Sequence, residues 1–408
     1  MKNKIKICIM GMGYIGLPTA ALLANRGYQV HGVDIKQDVI DTINLGDVHI
    51  VEPELDSYVS NAIISNSLTA SLVPTESDIF LIAVPTPFHS NNLNANTSSP
   101  IPNLDYVIDA TKKIAPYIKK GNLVLLESTS PVGTTNILTE ILSTVGVVVD
   151  DIYIAYSPER VLPGDIMREL IENDRVVGGI NESSTKKAAE FYRTFVKGEV
   201  FETNAKTAEM VKLTENSFRD VNIAFANEIS MLSDDMEIDA SELISLANQH
   251  PRVNILSPGC GVGGHCISVD PWFIVNSANG KAKMVEQARR TNDYKAEWVI
   301  SKIKDNAINF EKKHGRKPII ACMGLAFKAD IDDLRQSPAL HIALELNKEL
   351  NVVVVEPNIS KFSILDLVSL EIGLESDICV YLVPHTVFKK VKIKNADLNF
   401  CGMVIGEK

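Results

Sequence analysis

Three runs of the sequence have residue types at spacings that chemistry requires. The first is Gly11-Met-Gly-Tyr-Ile-Gly16, which follows the apolar run Lys4-Ile-Lys-Ile-Cys-Ile-Met10 and precedes Leu17-Pro-Thr-Ala-Ala-Leu-Leu-Ala24, rich in helix formers. In a strand, glycine turn and helix of this kind, Gly11 makes the tight turn, Gly13 offers bare backbone to a pyrophosphate, and Gly16 lets the helix pack closely. Asp34 closes the next strand-like run, Gln29-Val-His-Gly-Val33, where a dinucleotide-binding unit keeps the acid that accepts from a ribose 2'-hydroxyl. A carboxylate there repels a 2'-phosphate, so NAD is the expected cofactor rather than NADP. The plain alternative is an acid that only ends a strand.

The second run is Pro258-Gly-Cys-Gly-Val-Gly-Gly-His-Cys266, leading into Ile267-Ser-Val-Asp270-Pro271. So much glycine carries an entropic cost and is tolerated where a ligand or a tight backbone path demands it. Cys266 beside His265 and shortly before Asp270 is a setting that supports thiolate character. A structural turn around a buried thiol is the competing reading, and a zinc site from Cys260, His265 and Cys266 lacks a matching fourth ligand. The third run lies on a stretch without Gly or Pro from Thr207 to Asp235. There Lys212, Asn216 and Arg219 follow i, i+4, i+7 spacing, with Glu215 and Asp220 nearby. Such a row is often a solvated stripe. On a helix that is otherwise apolar through Met210, Leu213, Val221, Phe225, Ile229 and Leu232 it needs a partner, and an anionic ligand is a reasonable one.

Several elements must hold these runs in place. Further strands are expected at Asp78-Ile-Phe-Leu-Ile-Ala-Val84 and Leu123-Val-Leu-Leu126, separated by helical stretches, which implies a mostly parallel, doubly wound sheet. His89 to Asn103 is a run of Ser, Asn, Thr and Pro that reads as a mobile surface loop. The helix from Thr207 is expected as a buried spine or a subunit interface. After the basic stretch Lys312-Lys-His-Gly-Arg316, strands at Pro318-Ile-Ile-Ala-Cys-Met323, Val352-Val-Val-Val355 and Asp377-Ile-Cys-Val-Tyr-Leu-Val383 echo the first unit. Ile82-Ala-Val-Pro-Thr86 is answered by Tyr381-Leu-Val-Pro-His385, and the glycine turn by Gly324-Leu-Ala-Phe-Lys328, which lacks the three glycines. The predicted fold class is therefore α/β, with two Rossmann-like doubly wound domains joined by a long central helix. The second is nucleotide-binding by architecture without being a second dinucleotide site.

Composition bounds the alternatives. With 408 residues the chain exceeds one core, and 45% hydrophobic with 22% charged residues is ordinary for a globular protein. A net charge of -11 argues against nucleic acid as a partner, so an anionic ligand must meet locally placed cations. The apolar stretch after the basic start is too short for a signal or a membrane span, and the expected location is the cytoplasm, with no membrane partner. Six cysteines show no paired CxxC spacing, and Cys8, Cys322, Cys379 and Cys401 sit in or beside apolar runs as small hydrophobes.

Read together, Gly11-Met-Gly-Tyr-Ile-Gly-Leu-Pro, Val84-Pro-Thr-Pro, Glu127-Ser-Thr-Ser-Pro-Val-Gly-Thr, Ser157-Pro-Glu-Arg, Glu209-Met-Val-Lys-Leu-Thr-Glu-Asn, Gly261-Val-Gly-Gly-His-Cys and Gly324-Leu-Ala-Phe-Lys-Ala-Asp-Ile-Asp-Asp-Leu-Arg resemble the UDP-glucose/GDP-mannose dehydrogenase family, in order and across nearly the whole chain. The resemblance implies a four-electron oxidation of a UDP-sugar's primary alcohol to a carboxylate, with NAD as cofactor and no metal. It makes Cys266 the nucleophile and Lys212 the general acid/base, Asn216 and Lys328 the oxyanion donors, Asp270 and Thr129 the groups that order water or the nucleophile, and Glu159 an aid to hydrolysis. For NAD it adds Tyr14, Ile15, Thr86, Thr129 and Arg335 to Gly11, Gly13, Gly16 and Asp34. For the UDP-sugar it implies Arg160, Val161, Lys212, Asn216, Arg219, His250, Arg252, Gly263, Phe327 and Lys328, with Arg252 reaching a neighbouring subunit's site in a homodimer or higher homo-oligomer.

Within the family, His250-Pro-Arg-Val-Asn-Ile-Leu and Val269-Asp-Pro-Trp-Phe-Ile are most similar to members acting on UDP-N-acetylmannosamine for surface polysaccharides; UDP-N-acetylglucosamine and UDP-glucose are the alternative substrates. Outside this activity stand a two-electron hydroxyacid dehydrogenase, which needs neither Cys266 nor a third domain, and a non-catalytic NAD-binding regulatory protein. The implied division is 1–200 for NAD, 201–305 for a central helical, dimerising domain with the thiol loop, and 306–408 for the UDP-sugar. Two departures stand out. Cys260 occupies a position where the family usually has proline, and its thiol, six residues before Cys266, is expected to make the protein sensitive to reversible oxidation unless it points away. The chain after Val383 is also short.

Overall fold

The computed structural model describes residues 4–93, 99–264, 266–392, 394 and 396–403. The chain forms two compact units, divided between Thr214 and Glu215.

In the first unit the strands are β1 (Lys6–Met10), β2 (Gln29–Val33), β3 (Leu68–Ser71), β4 (Ile79–Ile82), β5 (Phe88–Leu93), β6 (Pro100–Pro102), β7 (Leu123–Leu126), β8 (Tyr153–Tyr156), β9 (Arg175–Gly179) and β10 (Val200–Asn204). Eight of them make one sheet in the order β10-β9-β8-β7-β4-β1-β2-β3, parallel except where β8 meets β9. The central strands are buried along their whole length, as the continuous apolar runs Ile79-Phe-Leu-Ile82 and Leu123-Val-Leu-Leu126 require when helices cover both faces. Strand order reverses between β1 and β4, and the Gly11–Gly16 turn leaves the carboxyl end of β1 at that crevice, the usual ligand position in an open α/β sheet.

The polar run after Phe88 departs from expectation. Its described parts, β5 and β6, pair as an antiparallel ribbon rather than a loop, with the Asn103 amide donating to the Pro87 carbonyl at 2.7 Å. Residues 94–98 lie outside the described residues. A ribbon held by backbone bonds leaves no apolar alternation to read.

The long helix spans Ala205–Asp235 and so begins two residues before the predicted start. It is not a buried spine within the chain: Leu213 is buried, whereas Met210, Phe218, Phe225 and Leu232 are exposed. A second long helix, Lys283–His314, was not anticipated. The basic stretch read as a break is its last turn, where Lys312, Lys313 and His314 complement the helix dipole before Gly315, at φ 70°, ends it.

The second unit carries the parallel sheet β12-β11-β13-β14, built from β11 (Ile319–Met323), β12 (Asn351–Val355), β13 (Ile378–Tyr381) and a two-residue β14 (Leu398–Asn399). Its echo of the first unit extends to single bonds. The Gly11 amide donates to the Val33 carbonyl and the Gly324 amide to the Val355 carbonyl, with φ 92° and 96°. The Ala83 amide reaches Met10, and the Leu382 amide Met323. Met12 donates to Asp34 Oδ2, and Leu325 to Glu356 Oε2. Cys8, Cys322, Cys379 and Cys401 are buried, as expected of small hydrophobes.

Candidate active site

The glycine turn of the first unit divides its work among three positions. A Cβ on Gly16 would stand 1.8 Å from the Gly11 carbonyl oxygen, so close helix packing excludes any side chain there. A Cβ on Gly13 would meet nothing within 4 Å, which leaves open space where a phosphate approaches bare backbone. The helix Gly16–Asn25 has no acidic residue in its first turn to compete for its amide end. Asp34 Oδ2 accepts the Met12 amide at 3.0 Å and Oδ1 the Lys36 amide at 3.1 Å, and its partly exposed carboxylate keeps lone pairs for a ribose. Tyr14 is exposed and Ile15 half-buried. Thr86 is buried and donates through Oγ1 to the Thr129 carbonyl at 2.6 Å, tying together the chain after β4 and the chain after β7. These residues fit NAD, whose nicotinamide ring accepts hydride when bound.

Also in the first unit, Glu159 is buried. Its Oε1 accepts the Arg160 amide at 2.7 Å, and its Oε2 stands 2.8 Å from Nη1 of the equally buried Arg175. Arg160 itself is half-buried, with Nη1 3.3 Å from the Asp174 carbonyl, and Val161 packs against the core. Sequence reasoning missed the rest of this cluster. Glu127 is buried and accepts the Tyr192 hydroxyl at 2.7 Å; burial, then the nearby Glu159 charge, push its carboxyl up to about 7 against the pull of Arg175. A buried Glu209 accepts the amides of Gly133 and Thr135, holding the N-terminal turn of the helix Thr134–Thr144 and thereby the loop that carries Thr129. Lys212 is buried on the long helix.

In the second unit Cys266 is exposed, in the turn whose carbonyl accepts the Asp270 amide at 2.9 Å. Asp270 begins the helix Asp270–Ser277, is buried, and accepts Asn216 Nδ2 at 2.5 Å. Two glycines of the thiol loop have no room for a side chain. A Cβ on Gly263 would lie 2.7 Å from both Phe327 Cβ and the Gln336 oxygen, and one on Gly264, at φ 81°, would lie 2.9 Å from the Phe327 ring. The Gly264 amide donates to the Arg335 carbonyl at 3.1 Å, while the Arg335 guanidinium pairs with Asp333. Arg219, His250, Arg252 and Lys328 are exposed and Phe327 is half-buried. A network unseen in the sequence anchors the loop's other end: Asn227 accepts the Gly259 amide and donates to Asn292, which donates to Asp220, itself paired with buried Arg289.

His265 lies outside the described residues. For Cys260 the structure favours the space-filling alternative. Its thiol is buried in the core of the second unit, donates to the Leu382 carbonyl at 3.4 Å, and is pushed up to about 12 by burial and by Cys401, so it is not an oxidation-prone thiolate. It fills space. Among the described residues no group of three or more His, Cys, Asp or Glu could hold a metal ion, and no helix is long and apolar enough to cross a membrane.

An open glycine turn at the switch point of a doubly wound sheet, with an acid just past the end of the next strand, fits the NAD-binding dehydrogenases. Three domain profiles of the UDP-glucose/GDP-mannose dehydrogenase family match the chain: the NAD binding domain over residues 5–196, the central domain over 206–294 and the UDP binding domain over 321–401. A UDP-N-acetyl-D-mannosamine dehydrogenase of Campylobacter jejuni is 50% identical over 97% of this chain and 99% of its own length. An NDP-N-acetyl-D-galactosaminuronic acid dehydrogenase of Ralstonia nicotianae is 48% identical, covering 94% and 92%. The solved UDP-D-ManNAc dehydrogenase of Pyrococcus horikoshii superposes with a TM-score of 0.86 at 37% identity, over 98% of this chain and 96% of that one. The chain belongs to the UDP-glucose/GDP-mannose dehydrogenase family, and it is an NAD-dependent oxidoreductase.

Proposed function

We propose that the protein oxidises the C6 hydroxyl of UDP-N-acetylmannosamine to a carboxylate, giving UDP-N-acetylmannosaminuronate in two hydride transfers to NAD. The observation that carries this reading is half identity, over nearly the whole chain, to a UDP-N-acetyl-D-mannosamine dehydrogenase. Cys266, exposed at the entry to the Asp270 helix, suits the chemistry. After the first oxidation the aldehyde carbon is sp2 and has no second hydride to give until a nucleophile makes it tetrahedral. The Cys266 thiolate does so as a thiohemiacetal; loss of hydride leaves a thioester, which water opens. Lys212 takes the alcohol proton and returns protons at the tetrahedral stages, while Asn216 and Lys328 donate to the oxyanion. Asp270 and Thr129 order the nucleophile and water, and Glu159 receives a proton from the attacking water.

In this reading Gly11, Gly13, Tyr14, Ile15, Gly16, Asp34, Thr86, Thr129 and Arg335 hold NAD. The UDP-sugar is held by Arg160, Val161, Lys212, Asn216, Arg219, His250, Gly263, Phe327 and Lys328, and by Arg252 of a second copy. The domains divide at 1–200, 201–305 and 306–408. The protein works in the cytoplasm as a homodimer or higher homo-oligomer, supplying an acidic sugar for surface polysaccharide. The Ralstonia relative favours a second substrate, an N-acetylgalactosamine nucleotide.

The test is NADH release from UDP-N-acetylmannosamine, UDP-N-acetylgalactosamine, UDP-N-acetylglucosamine and UDP-glucose. The first is expected to react best and to yield two NADH per sugar, with no carboxylate formed by Cys266→Ala. One NADH with aldehyde accumulating sinks the four-electron mechanism, and a better rate with another sugar reassigns the substrate.

A further inference from the structure

In the second unit the turn after β11 repeats the dinucleotide turn of the first unit, but its acid is turned inward. Glu356 stands where Asp34 stands, but it is buried, with both oxygens taken up inside the unit. Oε2 accepts the amides of Leu325 at 2.7 Å and Ala326 at 3.0 Å, and Oε1 accepts the Asn358 amide at 3.0 Å. Asn358 Nδ2 also donates to Oε1 at 3.4 Å, and the fully buried His385 brings its Nε2 to 3.1 Å from Glu356 Oε2. His385 Nδ1 accepts the Asp330 amide at 2.9 Å, with Asn358 Nδ2 at 3.2 Å. Acceptance at Nδ1 leaves the proton on Nε2, which therefore donates to Glu356. Burial by itself raises the Glu356 carboxyl, but the ring and the amides outweigh it and hold the group below the usual carboxylate range, charged and strongly accepting.

One ring thus ties both ends of a short segment. Leu325 and Ala326 are bound through Glu356, and Asp330 is bound directly, in a left-handed conformation at φ 61° that its carboxylate secures through the Thr386 amide at 2.9 Å and hydroxyl at 2.6 Å. Between these anchors lie Phe327 and Lys328. The Phe327 ring occupies the space beside Gly264 that a side chain would need, two residues before Cys266. Any slackening of the segment moves Lys328 and unseats the wall of the thiol loop together.

We propose that His385 is a positioning residue for the oxidation, holding Phe327 and Lys328 at the nucleotide sugar and, through Phe327, fixing the thiol loop. The inference rests on the reading that Phe327 and Lys328 serve the UDP-sugar. His385→Asn keeps an acceptor near Nδ1 and loses the donor to Glu356, whereas His385→Gln does the reverse. Each is expected to lower kcat/KM for the UDP-sugar by about tenfold with NAD affinity within about twofold of wild type, and UDP is expected to protect Cys266 from alkylation less well. In a Lys328→Ala background, His385→Asn should cost less than it does alone, because the share of its effect carried by Lys328 is already lost and only the share carried by Phe327 remains. Wild-type kcat/KM in folded His385→Asn and His385→Gln overturns the proposal, as does a loss fully additive with Lys328→Ala. Unimpaired turnover of Lys328→Ala itself overturns the underlying site reading, and the proposal with it. Should the histidine variants unfold, Glu356→Gln, isosteric but with a single acceptor oxygen where the carboxylate has two, carries the same expectations and the same overturning results.

Discussion

Glu127 and Glu159 flank one buried guanidinium, and their surroundings differ. Glu159 has Arg175 and the Arg160 amide, while Glu127 has the Tyr192 hydroxyl on one oxygen, and its other oxygen finds no hydrogen-bond donor among the described residues. With its carboxyl raised to about 7, chiefly by burial, the folded protein keeps a proton on Glu127 over a range where the unfolded chain has lost it. Stability from this group is therefore full below the ordinary value of 4.5 and is lost as pH rises through about 7. Glu127→Gln cannot ionise and keeps an oxygen for Tyr192. Its stability relative to wild type is expected to climb between pH 4.5 and about 7, by roughly 1–3 kcal/mol in total. Urea unfolding across that range measures it, and a difference that stays flat with pH means that Glu127 titrates as an ordinary carboxylate.

Elements show what the sequence can and cannot announce. The Gly11–Gly16 turn was legible because strand, turn and helix are neighbours in sequence, and the Ala205–Asp235 helix because apolar spacing persists without Gly or Pro. The Lys283–His314 helix escaped notice because its buried face mixes Ala288, Ala296, Val299 and Ile303 with Arg289, Asn292 and Lys295, so no clean apolar stripe survives. The thiol loop was legible as glycine-rich but not for its reason, since Phe327, Gln336 and Pro338 lie more than sixty residues on. That reason separates two otherwise similar substitutions. Gly264→Ala must place a Cβ 2.9 Å from the Phe327 ring at φ 81°, which costs roughly 1–3 kcal/mol of local strain. Gly259→Ala meets only a carbonyl oxygen at 3.6 Å. The first is expected to lose more than about tenfold in kcat/KM and the second to stay within about twofold. Equal effects in NADH assays mean that the Phe327 contact does not govern the loop.

At the scale of the whole molecule, the long helix leaves a row of large apolar side chains in water: Phe218 is 70% exposed, Phe225 52% and Leu232 45%. Intervals of seven residues put them on one helical face, and soluble monomers rarely leave such a face uncovered. Under the proposal of a homodimer, a second copy presenting the same face would cover it by two-fold symmetry, the commonest closed arrangement. Under the proposal that Arg252 serves the partner's site, Arg252→Ala and Cys266→Ala are each inactive alone, yet complement one another. In a randomly reassorted dimer population about half the dimers are hybrids, and each hybrid has one site with an intact Cys266 facing an intact Arg252 from the other chain. The mixture is then expected to recover about a quarter of wild-type activity. Adding Phe225→Glu to both chains places a charge in the apolar row; it should halve the sedimenting mass and remove the recovered activity together. Hybrids verified by differential tagging that show no activity put Arg252 in its own subunit's site, whereas recovery that survives Phe225→Glu means that the chains pair through another surface.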